Sequence, residues 1–167
     1  MIAAAVMAGG RPMAAQQTGW ETIVAADGSW RIEMPRGYRR TSVLQSDGRM
    51  REQYGYATNT GLGLDFSVEP RDAAADRPAI ETAALLQSAV DLVVRAIPGG
   101  QVEDETPVRL GPGSGRSFTV RIDHLQGTLL GRAYVTNAAL YQQMVLARDD
   151  QRDNPAVARF LDSLMLR

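Results

Sequence analysis

Residues 30–35, Trp30-Arg31-Ile32-Glu33-Met34-Pro35, alternate apolar and charged side chains and stop at a proline. Successive side chains of a strand point to opposite faces, so Trp30, Ile32 and Met34 are expected on a core side and Arg31 and Glu33 in water. Proline brings no ladder donor and closes the strand. At the other end, Asn154-Pro155-Ala156-Val157-Ala158-Arg159-Phe160-Leu161-Asp162-Ser163-Leu164 opens on a capping residue with proline at the first helical position. Val157, Phe160, Leu161 and Leu164 then follow at helical spacing. A strand near the start and an amphipathic helix near the end bracket one α+β domain.

Working inward, Trp20 to Ala25 is a short extended segment joined to Trp30 through Asp27-Gly28, a turn in which both residues tolerate positive φ. Arg36-Gly37-Tyr38-Arg39-Arg40 is expected as an exposed loop before a short strand around Val43, with Asp47-Gly48 as the next hairpin turn. Met50, Tyr54 and Tyr56 share one face of the following strand. Leu62, Leu64, Phe66 and Val68 then alternate with Gly63, Asp65, Ser67 and Glu69.

A helix is predicted over 78–97, capped by Asp76 and stopped by Pro98-Gly99-Gly100. Leu85, Leu86, Ala89, Val90, Val93, Val94 and Ile97 cover most of its surface, which requires a sheet to lie against. Val102 to Leu110, Phe118 to Ile122, Thr128 to Thr136 and Leu140 to Ala147 read as a meander of four strands. Short connections imply antiparallel neighbours.

The chain has 167 residues, 44% hydrophobic and 22% charged, enough for one core without a staple. Residues 18–167 read as that single domain, and 1–17 as a separate leader. Met1 to Ala8 is an apolar run, followed by Gly9-Gly10-Arg11-Pro12 and small residues up to Ala15. It reads as the end of a secretory signal cut after Gly10 or Ala15. The expectation is a periplasmic or secreted protein, with a cytoplasmic tail as the alternative. The run is too short to span a bilayer.

All 18 basic residues are arginine and cysteine is absent. Without lysine there is no Schiff-base enzyme, P-loop NTPase or Ser-Lys dyad. Without cysteine there is no thiol nucleophile, disulfide, iron–sulfur cluster or lipidated anchor on this stretch of chain. A net charge of −1 supplies no general field for nucleic acid. No cofactor or metal is expected.

Few residues suggest chemistry. His124 is the one histidine, so a hydrolase would have to use it; its phase with Phe118, Val120 and Ile122 places it at the rim of a core instead. Glu103-Asp104-Glu105 reads as a solvated strand edge, and Gly111 to Gly115 as a flexible hairpin loop. Arg36, Arg39 and Arg40 around Tyr38 form the densest positive patch and are the candidate interaction residues. Arginine and tyrosine are enriched at interface hot spots, where they join contact area to directional hydrogen bonds.

The Trp-x-Ile-x-Met-Pro strand, the aromatic-containing loop, the long helix, the meander and the terminal Arg-Phe-Leu-Asp-Ser helix together resemble the PsbP-like superfamily, over Trp20 to Arg167. The resemblance implies an α/β/α sandwich on an antiparallel sheet, in proteins that mostly bind other proteins. The expected function is a non-enzymatic protein-interaction module of the bacterial cell envelope with a protein partner there. A small-ligand carrier with a pocket between helix and sheet is the alternative.

Overall fold

The computed structural model describes residues 19–71 and 78–167. The leader 1–17 and the expected cap Asp76 lie outside them.

Among the described residues, ten strands and two α-helices follow in the order expected from the sequence, with one addition. Strands β1 (Trp20–Val24) and β2 (Trp30–Pro35) form a hairpin whose turn places Gly28 at φ +71°. Asp27 holds it closed by accepting from the backbone and hydroxyl of Ser29. Strands β3 (Arg39–Leu44), β4 (Met50–Ala57) and β5 (Leu62–Pro70) come next. Helix α1 (Ala79–Arg95) leads into β6 (Gln101–Leu110), β7 (Gly113–Ile122), β8 (Gly127–Val135) and β9 (Ala139–Arg148). Helix α2 (Pro155–Asp162) and β10 (Met165–Leu166) close the chain.

The meander is present as expected. It supplies four strands of a seven-stranded antiparallel sheet in the order β3-β4-β5-β9-β8-β7-β6. The expectation of one sheet is corrected: β1, β2 and β10 form a second, three-stranded sheet. β10 was not foreseen, because two residues carry no periodicity. It exists because Met165 and Leu166 pair with Arg31 and Trp30 of β2, and because Ser163 continues the contact by accepting the Glu33 amide at 3.1 Å.

One face of the large sheet carries α1. Leu86 and Ala89 pack on Ala133, Val135 and Leu140, and Val90 and Val93 pack on Phe118 and Val120. Leu85, Val94 and Ile97, expected in the same contact, are half-buried at its margins. The other face carries the small sheet and α2. Trp30, Ile32 and Met34, in phase as read from the sequence, meet Tyr54, Leu64, Phe66, Val145 and Phe160 there. Burying each such side chain contributes about 1.5–3 kcal/mol. The α+β sandwich is therefore built as predicted, with a small sheet sharing the second layer with α2.

Asn154 caps α2, its Oδ1 accepting from Ala156 at 3.0 Å. α2 ends at Asp162, so Leu164 is buried beyond the helix rather than within it. At the core, Gln143 is fully buried and donates to the Phe160 carbonyl at 2.8 Å, anchoring α2 on the sheet.

The glycine-rich stretch is not a flexible loop. Gly113 and Gly115 are strand residues of β7. A Cβ at Gly115 would overlap the Ala133 carbonyl and the Tyr134 ring. Glycine is there to let the next strand approach, and the turn itself is only Gly111-Pro112.

Candidate functional site

The candidate patch straddles a corner of the molecule where β2 hands the chain to β3. Arg36 and Gly37 are loop residues, but Arg39 and Arg40 belong to β3, whose six residues are all exposed. That corrects the loop boundary. The physical reason is the hairpin about Asp47-Gly48, whose register carries the pairing back to Arg39 opposite Gly55.

Strand alternation then splits the arginines. Arg40 lies directly opposite Tyr54, with its guanidinium carbon 5.6 Å from the ring centroid. Its Nη2 sits 2.8 Å from Glu52 Oε1, and the Tyr54 hydroxyl donates to the other Glu52 oxygen at 2.7 Å. Arg39 projects from the opposite face of the strand. Neither Arg36 nor Arg39 makes an ion pair among the described residues.

Beneath this corner the rings interlock. Tyr54 stands 5.9 Å from Trp30, edge to face, and 6.0 Å from Phe66. Trp30 meets Phe66 at 5.0 Å. Tyr38 leans on Tyr54 at 6.0 Å and is half-buried against this cluster. Of the four candidate residues, Arg36 and Arg39 are thus open to a partner, Arg40 is engaged, and Tyr38 belongs partly to the core.

The charges are tuned accordingly. The Glu52 carboxyl is held below its ordinary value by the Tyr54 hydroxyl and then by Arg40. Burial raises the Tyr54 phenol well above its ordinary value, helped by the adjacent carboxylate. Glu52 was not singled out from the sequence, and Trp30 and Phe66 were read there only as strand residues in phase. Counting back equally from Asp47, the middle of the turn, puts Arg40 opposite Tyr54, and was the one signal available.

Elsewhere, His124 is not at a core rim. It is exposed in a 3-10 turn, Asp123–Leu125, and no hydrogen bond holds its ring among the described residues. The chain leaves β7 after Ile122, so strand phase no longer applies. Glu103, Asp104 and Glu105 lie on the edge strand β6, as expected; Glu103 faces Arg121 at 3.9 Å and Glu105 pairs with Arg116. Among the described residues no group of three or more acidic or imidazole side chains is placed to hold a metal. None of their helices is long and apolar enough to cross a membrane.

Asp65 is a largely desolvated carboxylate. It faces the α1 side of the sheet, beyond the helix, and accepts from Gln53 at 2.5 Å. Burial raises its proton affinity, opposed by that hydrogen bond and by Arg51. A groove of about 630 Å³ runs between the first turns of α1 and the β6–β7 hairpin, lined by Thr82, Leu86, Pro107, Arg109 and Asn137 among others. It is open and evenly polar and apolar.

No family model and no curated protein sequence matches the chain. Solved structures do. The solution structure of the cyanobacterial PsbP protein CyanoP from Synechocystis has a TM-score of 0.62 at 11% identity, covering 95% of this chain and all of that one (100%). The Ran-binding protein Mog1p of Saccharomyces cerevisiae follows at TM-score 0.49 and 11% identity, with 89% and 95% covered. LpqN of Mycobacterium tuberculosis, involved in cell envelope biogenesis, stands at 0.48 and 14%, with 89% and 90% covered. Such identities speak to architecture alone. With 95% of the chain covered at that TM-score of 0.62, the chain has a PsbP-like fold.

Proposed function

We propose that the protein is a non-enzymatic interaction module of the bacterial cell envelope that recognises an acidic surface on a partner protein. One observation carries this reading. Among the described residues the exposed Arg36 and Arg39 make no ion pair, and Arg39 projects from β3, a strand held in place by the Arg40–Tyr54–Glu52 contacts on its other face. Arginine on a rigid support loses little freedom on binding and reads carboxylates bidentately. The envelope assignment is supported by the apolar run at residues 1–8 and the small residues that follow it.

The test is capture from envelope extract by the wild-type protein and by Arg36→Ala/Arg39→Ala. Both side chains are exposed, so the variant is expected to melt within about 2 °C of wild type while capture falls at least about fivefold. Equal capture would reject the patch. N-terminal sequencing of the protein from its native host tests the compartment, and recovery of residue 1 in the cytosol would reverse it.

The carrier reading rests on the groove between α1 and the sheet. Its openness suits it to a weak or transient ligand, since ligand pockets usually enclose most of the ligand surface. A hydrolase built on His124 has no oriented partner for the imidazole among the described residues, so His124→Ala is expected to leave folding and binding unchanged.

A further inference from the structure

The two edges of the seven-stranded sheet are built differently. β6 carries Pro107 at mid-strand, a register break between Val102 and Asp104, and three consecutive acids. Prolines, bulges and charges are the usual guards against an edge pairing with another chain. β3 has an unbroken register, no proline and no bulge, and only its first two residues are charged.

The phase of its hydrogen bonds is set by the turn. The Gln45 amide donates to the Arg49 carbonyl at 2.7 Å, and the β3–β4 register continues from that pair. Bonded and non-bonded pairs alternate along an antiparallel ladder. Residues 39, 41 and 43 therefore bond inward to β4. The backbone groups of Arg40, Ser42 and Leu44 point out of the sheet, and among the described residues no strand pairs with them.

We propose that β3 mediates twofold self-association, two copies pairing β3 to β3 antiparallel with the axis at Ser42. Ser42 then faces Ser42 of the second copy, Arg40 faces Leu44, and Thr41 faces Val43. This register alone pairs all three outward residues of β3 with one another. It also sets no arginine against an arginine, whereas centring the axis on Arg40 would do so at once. The strand is complementary to its own reverse: cationic at one end and apolar at the other.

Side chains support the same occupant. Leu44 is 68% exposed and Met50, opposite it on β4, is 45% exposed, an apolar pair open to solvent among the described residues. In the paired form Leu44 rests on the aliphatic stem of Arg40 from the second copy, whose guanidinium is already held by Tyr54 and Glu52. Val43, 44% exposed, meets Thr41, a pair of β-branched side chains suited to cross-strand contact. Pairing β3 with β6 of another copy is unfavourable, because Pro107 removes a donor there. The proposal goes beyond the interaction reading and stands whether or not a partner is captured at Arg36 and Arg39.

The experiment uses the purified protein alone. Sedimentation equilibrium is expected to show a monomer–dimer equilibrium, weakened at least about tenfold by Thr41→Arg/Val43→Arg, which sets Arg against Arg in the paired form. Both positions are exposed and keep their bonds to β4, so folding is expected to survive; Ser42→Pro, whose amide bonds nothing within the sheet, is the second variant. Because the chain has no cysteine, Ser42→Cys gives a single thiol. Paired residues of this type have Cα atoms about 5.5 Å apart, within disulfide reach. Mild oxidation is expected to yield a covalent dimer with Ser42→Cys and not with Val102→Cys on the other edge. A protein that stays monomeric at about 1 mM would overturn the proposal. So would a dimer that neither variant weakens and Ser42→Cys does not cross-link.

Discussion

Arg40 and Tyr54 face each other across the β3–β4 ladder, and both end on the same carboxylate, Glu52. The guanidinium covers the ring at 5.6 Å while the ring's hydroxyl donates to the acid that neutralises it. This closed triangle removes Arg40 from the pool of binding groups and stiffens the strand from which Arg39 projects.

Glu52→Gln is expected to lower stability at neutral pH by about 0.5–1 kcal/mol, a modest figure because the ion pair is partly exposed and screened by salt. The sign with pH follows from the depressed native value. The stabilisation is complete above the ordinary glutamate value of 4.5 and is lost as pH falls through the lower native one. Urea melts at neutral and acid pH check this, with the gap between the two proteins closing in acid.

Asp65 should behave in the opposite way. Burial raises its native value above the ordinary 3.8, so in the window between the two the folded state binds more protons and stability falls as pH rises. Asp65→Asn keeps an acceptor for Gln53 and is expected to raise the melting temperature at pH 7. That advantage should shrink on acidification; an equal gain at all pH values would assign it to packing instead.

Gly131 lies under the ring of Phe118, its cross-strand partner in β7–β8, and a Cβ there would overlap the ring. Gly131→Ala must displace Phe118 from its contact with Val90 and Val93, at a cost of about 2–4 kcal/mol. Gly63→Ala meets nothing closer than 3.8 Å and is the control, expected within about 0.5 kcal/mol of wild type. Thermal denaturation of the pair separates local overlap from a general effect of strand glycine.

Ser163 joins α2 to β2: its hydroxyl donates to the Phe160 carbonyl at 2.8 Å and accepts the Glu33 amide at 3.1 Å. Ser163→Ala leaves that amide without its acceptor and is expected to cost about 1–2 kcal/mol. Hydrogen exchange provides a sharper readout, since the Glu33 amide should lose protection more than its neighbours do.

The sequence by itself determined the elements whose signals act over a few residues. The period of two in Trp30–Met34 and Leu62–Val68, the turns at Asp27-Gly28 and Asp47-Gly48, and the Asn154 cap with Pro155 are local chemistry, and each stands where it was read. The apolar face of α1 likewise required a sheet. Tertiary structure alone decided how the strands divide between two sheets, since β10 exists only because Trp30 and Arg31 offer it an edge. It also turned the glycines at 113 and 115 from loop into strand, because the pressing neighbour Tyr134 is remote in sequence. Strand phase placed His124 at the rim of the core, but a single turn after Ile122 carried it into solvent. The site followed the same division: arginine density was legible along the chain, whereas the removal of Arg40 and the half-burial of Tyr38 depend on Glu52, Tyr54 and Phe66 arriving from other strands. Pairing over such distances is selected by volume and charge across the whole core, and no window of a few residues contains it.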